Sequence, residues 1–261
     1  MIIEQLQQQT GLTFSQIHRF EETASKRYKI YEIPKRNGGL RTIAHPSRSL
    51  KSLQRWISKR VFRYFPIHSC ATAYKKGASI VQNATAHKDT RYTLRMDFHN
   101  FFPSFSDLEI KNFIITKNIE YNMDLTDKDI NFIVNITCRY GCLTIGAPSS
   151  PIVTNTLMYV FDDEVSRYCR ERGVVYTRYA DDMFFSTNQP NVLLELPVVI
   201  KEAAKSFSFA DLKVNEDKTV FLRLDIDVPI ENKKVIDNVR LRKAILTPHD
   251  TKKSETSGAA A

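Results

Sequence analysis

The chain has 261 residues, 42% of them apolar, enough to bury a substantial core in one large domain or in two or three subdomains, which excludes a disordered protein. Its 38 Lys and Arg against 29 Asp and Glu leave a formal charge of +9, which suits a polyanionic partner. No segment approaches the roughly 18 consecutive apolar residues of a membrane span, and the N-terminus MIIEQLQQQT lacks the basic-then-apolar pattern of a secretory signal. The expected partner is therefore nucleic acid, with no membrane, and the expected location is the cytoplasm. Cys70, Cys138, Cys142 and Cys169 form neither a CxxC pair nor a zinc-ligand spacing, and read as core thiols in a reducing compartment.

Residues 2 to 27 mix Gln and Glu with spaced apolar positions and predict one or two short surface helices broken at Gly11. Tyr28 to Ile33 alternates as a strand, Asn37-Gly38 is a turn signal, and Leu40 to Ala44 returns, giving a basic hairpin that carries Lys35, Arg36 and Arg41. Such a hairpin is a solvated face or, beside carboxylates, a flap that grips a triphosphate. Leu50, Leu53, Ile57 and Val61 recur at helical spacing, and Trp56 reads as core. The segment YKKGASIVQN, from Tyr74 to Asn83, combines an aromatic ring, two lysines and a glycine, a mixture suited to backbone phosphates. His87 follows, as a structural hydrogen-bonding residue or a ligand.

Tyr92 to Phe98 predicts a strand with Tyr92, Leu94 and Met96 on one face and Thr93, Arg95 and Asp97 on the other. Ser106 and Glu109 make a capping box that opens a helix to about Ile115, and Thr126 to Asp129 opens another, with Ile130, Ile133, Val134 and Thr137 inward. The small-residue loop GAPSSP, Gly146 to Pro151, leads into a helix capped at Ser150 and running to Gly173. In VVYTRYADDMFFST, Val174 to Thr187, two apolar β-type runs enclose Asp181 and Asp182, the pattern of a hairpin with acids at its tip. Strand neighbours face opposite sides, so one acid aims into a given site unless the turn redirects the other. Two like charges this close call for a cation or a basic group to neutralise them, unless they form an ordinary solvated turn. A helix over about 192–207 precedes LKVNEDKTVFL, where Lys213 and Lys218 flank a polar turn. A hairpin is expected near Lys233 to Leu241, and SETSGAAA reads as disordered.

Asp97 and Asp181 stand 84 positions apart, each at the end or turn of a strand. Carboxylates delivered from separate strands are what two-metal phosphoryl transfer needs, and hard oxygen ligands favour magnesium. In order and spacing, DFHNFF from Asp97 to Phe102, the GAPSSP loop with Asn155 after it, YADD from Tyr179 to Asp182, and Lys213 to Thr219 resemble the motifs of reverse transcriptases. The hairpin IPKRNGGLRTIAHPSRSLKSLQRW and the segment AYKKGASIVQNATAH look like the retron branch of the bacterial enzymes. The resemblance covers about Ile30 to Phe221.

The resemblance implies a right-hand polymerase of the α+β class. It would comprise an N-terminal helical segment 1–27, fingers 28–91, a palm 92–222 whose antiparallel sheet packs on helices and carries a helical insertion at about 106–140, and a reduced thumb or tail at 223–261. It implies RNA-templated DNA synthesis with two Mg2+ ions on Asp97, Asp181 and the Phe98 carbonyl, and on Asp182 at some steps. Lys35 and Arg41 would hold the incoming deoxynucleoside triphosphate, and Gly146, Ala147 and Pro148 would admit nucleotide and template close to the backbone. Phe102 would sit under the sugar as a gate against the 2′-hydroxyl, or be ordinary core; Lys218 would protonate the pyrophosphate, or be a solvated turn lysine. Tyr74, Lys75, Lys76, Asn83, His87 and Asn155 would follow the nucleic acid. The implied partners are a structured noncoding RNA that serves as template and primer, an RNA-DNA product, and an effector protein in antiphage defence.

Two departures accompany the resemblance. Ile145 stands where the family carries Gln, and no recognisable thumb sequence follows Phe221. The competing readings are another bacterial reverse transcriptase class, abortive-infection or intron-derived, and a catalytically idle RNA-binding scaffold of polymerase shape.

Overall fold

The computed structural model describes residues 1–35, 38–75 and 77–223, together with the backbone of 230–231 and 234–235. Two helices open the chain, α1 Ile2–Thr10 and α2 Phe14–Glu22; Gly11 closes the first at φ 70°, and a capping box between Thr13 and Gln16 starts the second. They do more than cover the surface. Ile2, Ile3, Leu6 and Ile17 are buried, and the Ile3 N–H donates to the Asp129 carboxylate at 2.9 Å. The glutamine-rich sequence conceals a narrow apolar stripe that is wide enough to dock.

Strands β1 Tyr28–Pro34 and β2 Leu40–Pro46 form the basic hairpin, in register from Tyr28 opposite Pro46 to Pro34 opposite Leu40. Helix α3 Arg48–Arg60 follows, with Ser47 accepting from the Leu50 N–H as its cap and Leu50 and Ile57 fully buried. Trp56 is half-buried rather than core, because its indole N–H needs a partner and finds one in Gln9 of α1 at 2.8 Å. The short helix α4 Ile80–Ala86 leads to the central strand, β3 Tyr92–His99.

Helix α5 Asp107–Glu120 begins with the expected capping box, and α6 Asp127–Thr137 begins at the expected helix start, where Thr126 and Asp129 form a second box. α5 runs past Ile115 because its stop is set by Asn122 at φ 49° and not by its last buried residue, Ile114. The single helix expected to end at Gly173 is two, α7 Ser150–Leu157 and α8 Tyr159–Glu171, parted at Met158 where the Thr154 and Thr156 hydroxyls bond back to carbonyls of the preceding turn. Strands β4 Val175–Tyr179 and β5 Asp182–Thr187, helix α9 Leu196–Ser206, and the short strands β6 Lys213–Val214 and β7 Val220–Arg223 complete this part.

The main sheet is antiparallel in the order β4-β5-β3, and both β7 and β6 pair with the free edge of β3, along Tyr92 to Arg95 and Phe98 to His99 respectively. Leu94 and Met96 point into one apolar cluster that runs from α1 and α2 through α3, α5 and α6 to α9. The result is the α+β arrangement of an antiparallel sheet backed by helices. The hairpin expected near residues 233–241 lies largely outside the described residues, where only Ile230 with Val235 and Glu231 with Lys234 pair. All four cysteines are free, and burial pushes the Cys138 and Cys169 thiols up to about 12. Among the described residues no helix is long and apolar enough to cross a membrane.

Candidate active site

The register of β3 with β5 sets Asp97 directly opposite Asp182, on one face of the sheet. Asp181 precedes that pair in a two-residue turn: Tyr179 pairs with Asp182, and Ala180 between them adopts φ 60°. A left-handed conformation costs a residue with a Cβ about 1–2 kcal/mol, and here the turn is held from beneath. Arg178 Nη1 donates to the Ala180 carbonyl at 2.9 Å. From the side, the Phe98 N–H donates to the Asp181 carbonyl at 3.3 Å. In an extended strand a residue's N–H and C=O leave on the same edge, so the Phe98 carbonyl also faces the turn.

Arg178 has no solvent exposure and forks onto Asp162, which has none either, with Nη2–Oδ2 at 2.6 Å and Nε–Oδ1 at 2.8 Å. The Tyr176 hydroxyl donates to the same carboxylate at 3.0 Å. Burial pulls the guanidinium pKa down, but Asp162 more than offsets it and keeps Arg178 charged. Its Nη1 also reaches Asn155 Oδ1 at 3.3 Å, while the Asn155 amide donates to the Ala73 carbonyl at 3.0 Å.

The outer edge of β4 is covered by the 70s segment, since the Arg178 N–H donates to the Cys70 carbonyl at 2.9 Å and the Thr72 N–H to the Arg178 carbonyl at 2.8 Å. Asn83 Oδ1 then accepts from both the Thr72 and Thr177 hydroxyls, at 2.8 and 2.7 Å. Thr177 has spent its one proton, so the 2.7 Å contact to His87 makes Nε2 the ring donor, and Nδ1 accepts from Ser186 at 2.6 Å. Burial lowers the His87 pKa and keeps the ring neutral. Asn83, Asn155 and His87, expected along the nucleic acid, are thus struts that tie the 70s and 80s segments and α7 to β4 and β5. The two asparagines are only 4% and 1% exposed, and burial turns their polar atoms onto the protein itself.

Above the turn the acids are paired loosely. Lys218 Nζ lies 2.8 Å from Asp97 Oδ2, brought there because the Asn215 N–H donates to the Asp97 carbonyl at 2.7 Å. Arg95 donates to Asp182 Oδ1 through Nε at 3.0 Å and Nη2 at 2.7 Å. Among the described residues Asp181 has no such partner. Burial raises its carboxyl pKa, Asp182 and Asp97 raise it further, and its own backbone N–H and Lys218 oppose them. Tyr74, half exposed at φ 60°, belongs to the same electrostatic group: burial and then Asp181 raise its hydroxyl, and Arg41 opposes. Tyr74 thus lies between the charge of Asp181 and that of Arg41.

The donor set fits a hard divalent cation in kind: two carboxylates, a carbonyl edge, and an acid short of counter-charge. Among the described residues no three acidic, His or Cys side chains converge as a metal-binding group; Arg95 pairs with Asp182 and Lys218 with Asp97. Lys35 is exposed in the hairpin turn, its N–H donating to the Gly39 carbonyl at 3.0 Å; Lys75 is half-buried and reaches the Ser69 carbonyl at 3.2 Å; Lys76 lies outside the described residues. Phe102 is half-buried, its ring edge-on to Phe101 at 5.6 Å. Gly146 sits at φ 108°, where a Cβ would come within 2.7 Å of the Ala44 carbonyl oxygen, so its smallness admits the fingers hairpin. Ala147 beside it is buried, and Pro148 is half-buried.

Arg178, Asp162 and Arg95 escape a reading of motifs. The signal available for Arg178 was a lone charge inside an apolar β run, which demands a buried partner; for Arg95 it was the shared strand face with Asp97.

A profile described as "Reverse transcriptase (RNA-dependent DNA polymerase)" matches residues 33–252. Over 202 residues the chain is 35% identical to the Retron Ec83 reverse transcriptase of Escherichia coli, covering 74% of this chain and 64% of that one. Over 244 residues it is 30% identical to the Retron Mx162 reverse transcriptase of Myxococcus xanthus, covering 83% and 49%. The chain thus spans about half to two-thirds of the length of these relatives. Among solved structures, a telomerase from Candida albicans in complex with a TWJ fragment of telomeric RNA matches with TM-score 0.51 at 13% identity, covering 76% of this chain and 43% of that one. Apo telomerase from Candida tropicalis, truncated from the C-terminal domain, matches with TM-score 0.50 at 14% identity, covering 76% and 50%. At such identity the likeness carries the fold, fingers and palm of a right-hand polymerase. With the profile spanning most of its length, the chain belongs to the reverse transcriptase family.

Proposed function

We propose that this chain is the polymerising core of a retron reverse transcriptase, which copies a structured noncoding RNA into DNA from a primer hydroxyl, in the cytoplasm and as part of antiphage defence with an effector protein. The observation that supports the catalytic reading is the β4–β5 turn, which sets Asp182 directly opposite Asp97 with Asp181 just before it, and Lys218 Nζ 2.8 Å from Asp97 Oδ2. The retron reading is supported by the similarity to proteins that bear that name.

On this reading residues 28–91 are fingers and 92–222 palm. Asp97, Asp181 and the Phe98 carbonyl would hold two magnesium ions, joined by Asp182 once Arg95 releases it. When bound, the metal supplies the charge that activates a primer hydroxyl and steadies the leaving pyrophosphate. Lys218, half exposed and already 2.8 Å from Asp97, then has its ammonium free to protonate that pyrophosphate. Lys35 and Arg41 grip the triphosphate from the fingers. Gly146, Ala147 and Pro148 line the base of the nucleotide site, and Tyr74, Lys75 and Lys76 contact the template backbone. Phe102 stands as the ring that a 2′-hydroxyl would strike, giving an RNA-DNA product from deoxynucleoside triphosphates.

Primer extension on an RNA template with magnesium tests the catalytic reading. Asp181→Asn and Asp97→Asn are each expected to lower incorporation at least about a thousandfold, roughly 4 kcal/mol of transition-state stabilisation. Identical, background-level incorporation by wild type and both variants would favour the idle scaffold. In the same assay Phe102→Ala should raise ribonucleotide use by about 10- to 100-fold relative to deoxyribonucleotides; unchanged sugar selectivity makes Phe102 ordinary core.

A further inference from the structure

Away from the acids, the root of the fingers hairpin opens into a cleft of about 470 Å³. Five of its nine lining residues are basic (Lys26, Arg27, Lys29, Arg48 and Lys51), His45 adds a sixth nitrogen base, and none is acidic. At the chain's mean of 38 Lys and Arg in 261, nine residues would hold about one. Lys26, Lys29 and Arg48 are exposed and Lys51 is half-buried, and among the described residues none of the four has a carboxylate partner. Arg27 is fixed in place, its Nε donating to the Thr23 hydroxyl at 3.0 Å and its guanidinium lying 4.1 Å from the centre of the Phe20 ring. Concentrated positive charge without internal counter-charge is held against self-repulsion, which a bound polyanion would relieve.

The register says what shape of anion fits. Lys29 lies opposite His45, and the face they share continues through Tyr31 with Ile43 to Ile33 with Arg41. Four residues of strand put this root about 13 Å from Arg41. Two cationic stations on one strand face, with the 42% exposed Tyr31 ring between them, match a chain of repeating phosphates that carries flat bases. A membrane plane cannot enter a concave cleft.

We propose that this cleft is an anchoring site for the phosphodiester backbone of a structured RNA, outside the place of synthesis. The proposal rests on the reading of the chain as an RNA-templated polymerase. The test is the binding of a fluorescently labelled RNA hairpin, followed by anisotropy across a salt titration. The reversal Lys29→Glu/Arg48→Glu/Lys51→Glu is expected to weaken binding at least about tenfold at 0.1 M salt and to flatten the slope of log affinity against log salt by about two to three. Lys29→Ala/Arg48→Ala should show a smaller loss of the same sign, and keeps the test alive if the triple variant misfolds.

The control Lys59→Glu/Lys88→Glu/Lys205→Glu makes the same change in net charge at exposed positions elsewhere. An equal loss in the control overturns the site in favour of bulk charge. Unchanged binding of the RNA hairpin, with a loss only against phosphatidylserine vesicles measured alongside, overturns it in favour of a membrane surface. Incorporation on a saturating, preannealed template and primer is followed in parallel. Absence of incorporation by wild type, with the binding difference intact, would overturn the polymerase reading and leave the cleft standing.

Discussion

The hairpin that carries Asp181 has ion pairs on both sides, and they are built on opposite terms. Beneath the turn, Arg178 and Asp162 are wholly buried, forked together, and joined by Tyr176, Asn155 and the Ala180 carbonyl. Above it, Lys218 on Asp97 and Arg95 on Asp182 are half open to water, with the two cations 52% and 44% exposed. A buried pair cannot lose one member without stranding a charge in a low-dielectric interior. A solvated pair trades partners at little cost. The lower pair fixes where the acids stand; on the proposed reading the upper pairs occupy the acids only until a divalent cation binds.

The sharpest way to break this contrast is to unpair the lower layer. Arg178→Met is expected to cost about 3–5 kcal/mol in urea unfolding, because Asp162 is left charged and alone. Adding Asp162→Leu should recover most of that stability, yet primer extension should stay low, since nothing then holds the Ala180 carbonyl. Recovery of both together would deny Arg178 its hold on the turn.

A middle-sized effect is expected at His87, which ties the 80s segment to β4 and β5. Its folded pKa is below the unfolded 6.5, so below pH 6.5 the unfolded state takes up a proton that the folded state refuses. Stability should therefore fall as pH drops from 6.5 towards the lowered value, by at most about 1.4 kcal/mol per pH unit. His87→Gln should remove that slope in urea unfolding at several pH values; an unchanged slope would place the titration elsewhere. The smallest effect belongs to the upper layer: Arg95→Ala should change stability by no more than about 1 kcal/mol. A larger loss would mean that the upper pair is structural as well.

The frame of the site was legible because its signals are local. Alternation in β3, the Asp-Asp tip, and the starts of α5 and α6 follow from two- to four-residue patterns, and each reappears in the fold. What escaped was orientation. Asn83 and Asn155 carry the same side chain as a surface asparagine, and only the neighbouring β4 decides that they turn inward. Trp56 and the stripe on α1 were misjudged because each depends on an element distant in sequence. Arg178 was hidden in plain view, since its partner Asp162 sits on a helix whose acidic pair, Asp162 and Asp163, gives no hint of which one is buried.

The tight approach of Gly146 to Ala44 also sets where the β1–β2 hairpin is held. The Ala44 N–H donates to the Ile145 carbonyl at 2.9 Å, so the hairpin is clamped to the loop partway along its length. Beyond that clamp the exposed segment Leu40 to Thr42 and its mate, Glu32 to Pro34, project like the free end of a plank. A substituent at position 146 would lift the plank off its support and change the reach of Lys35 and Arg41 without altering either residue.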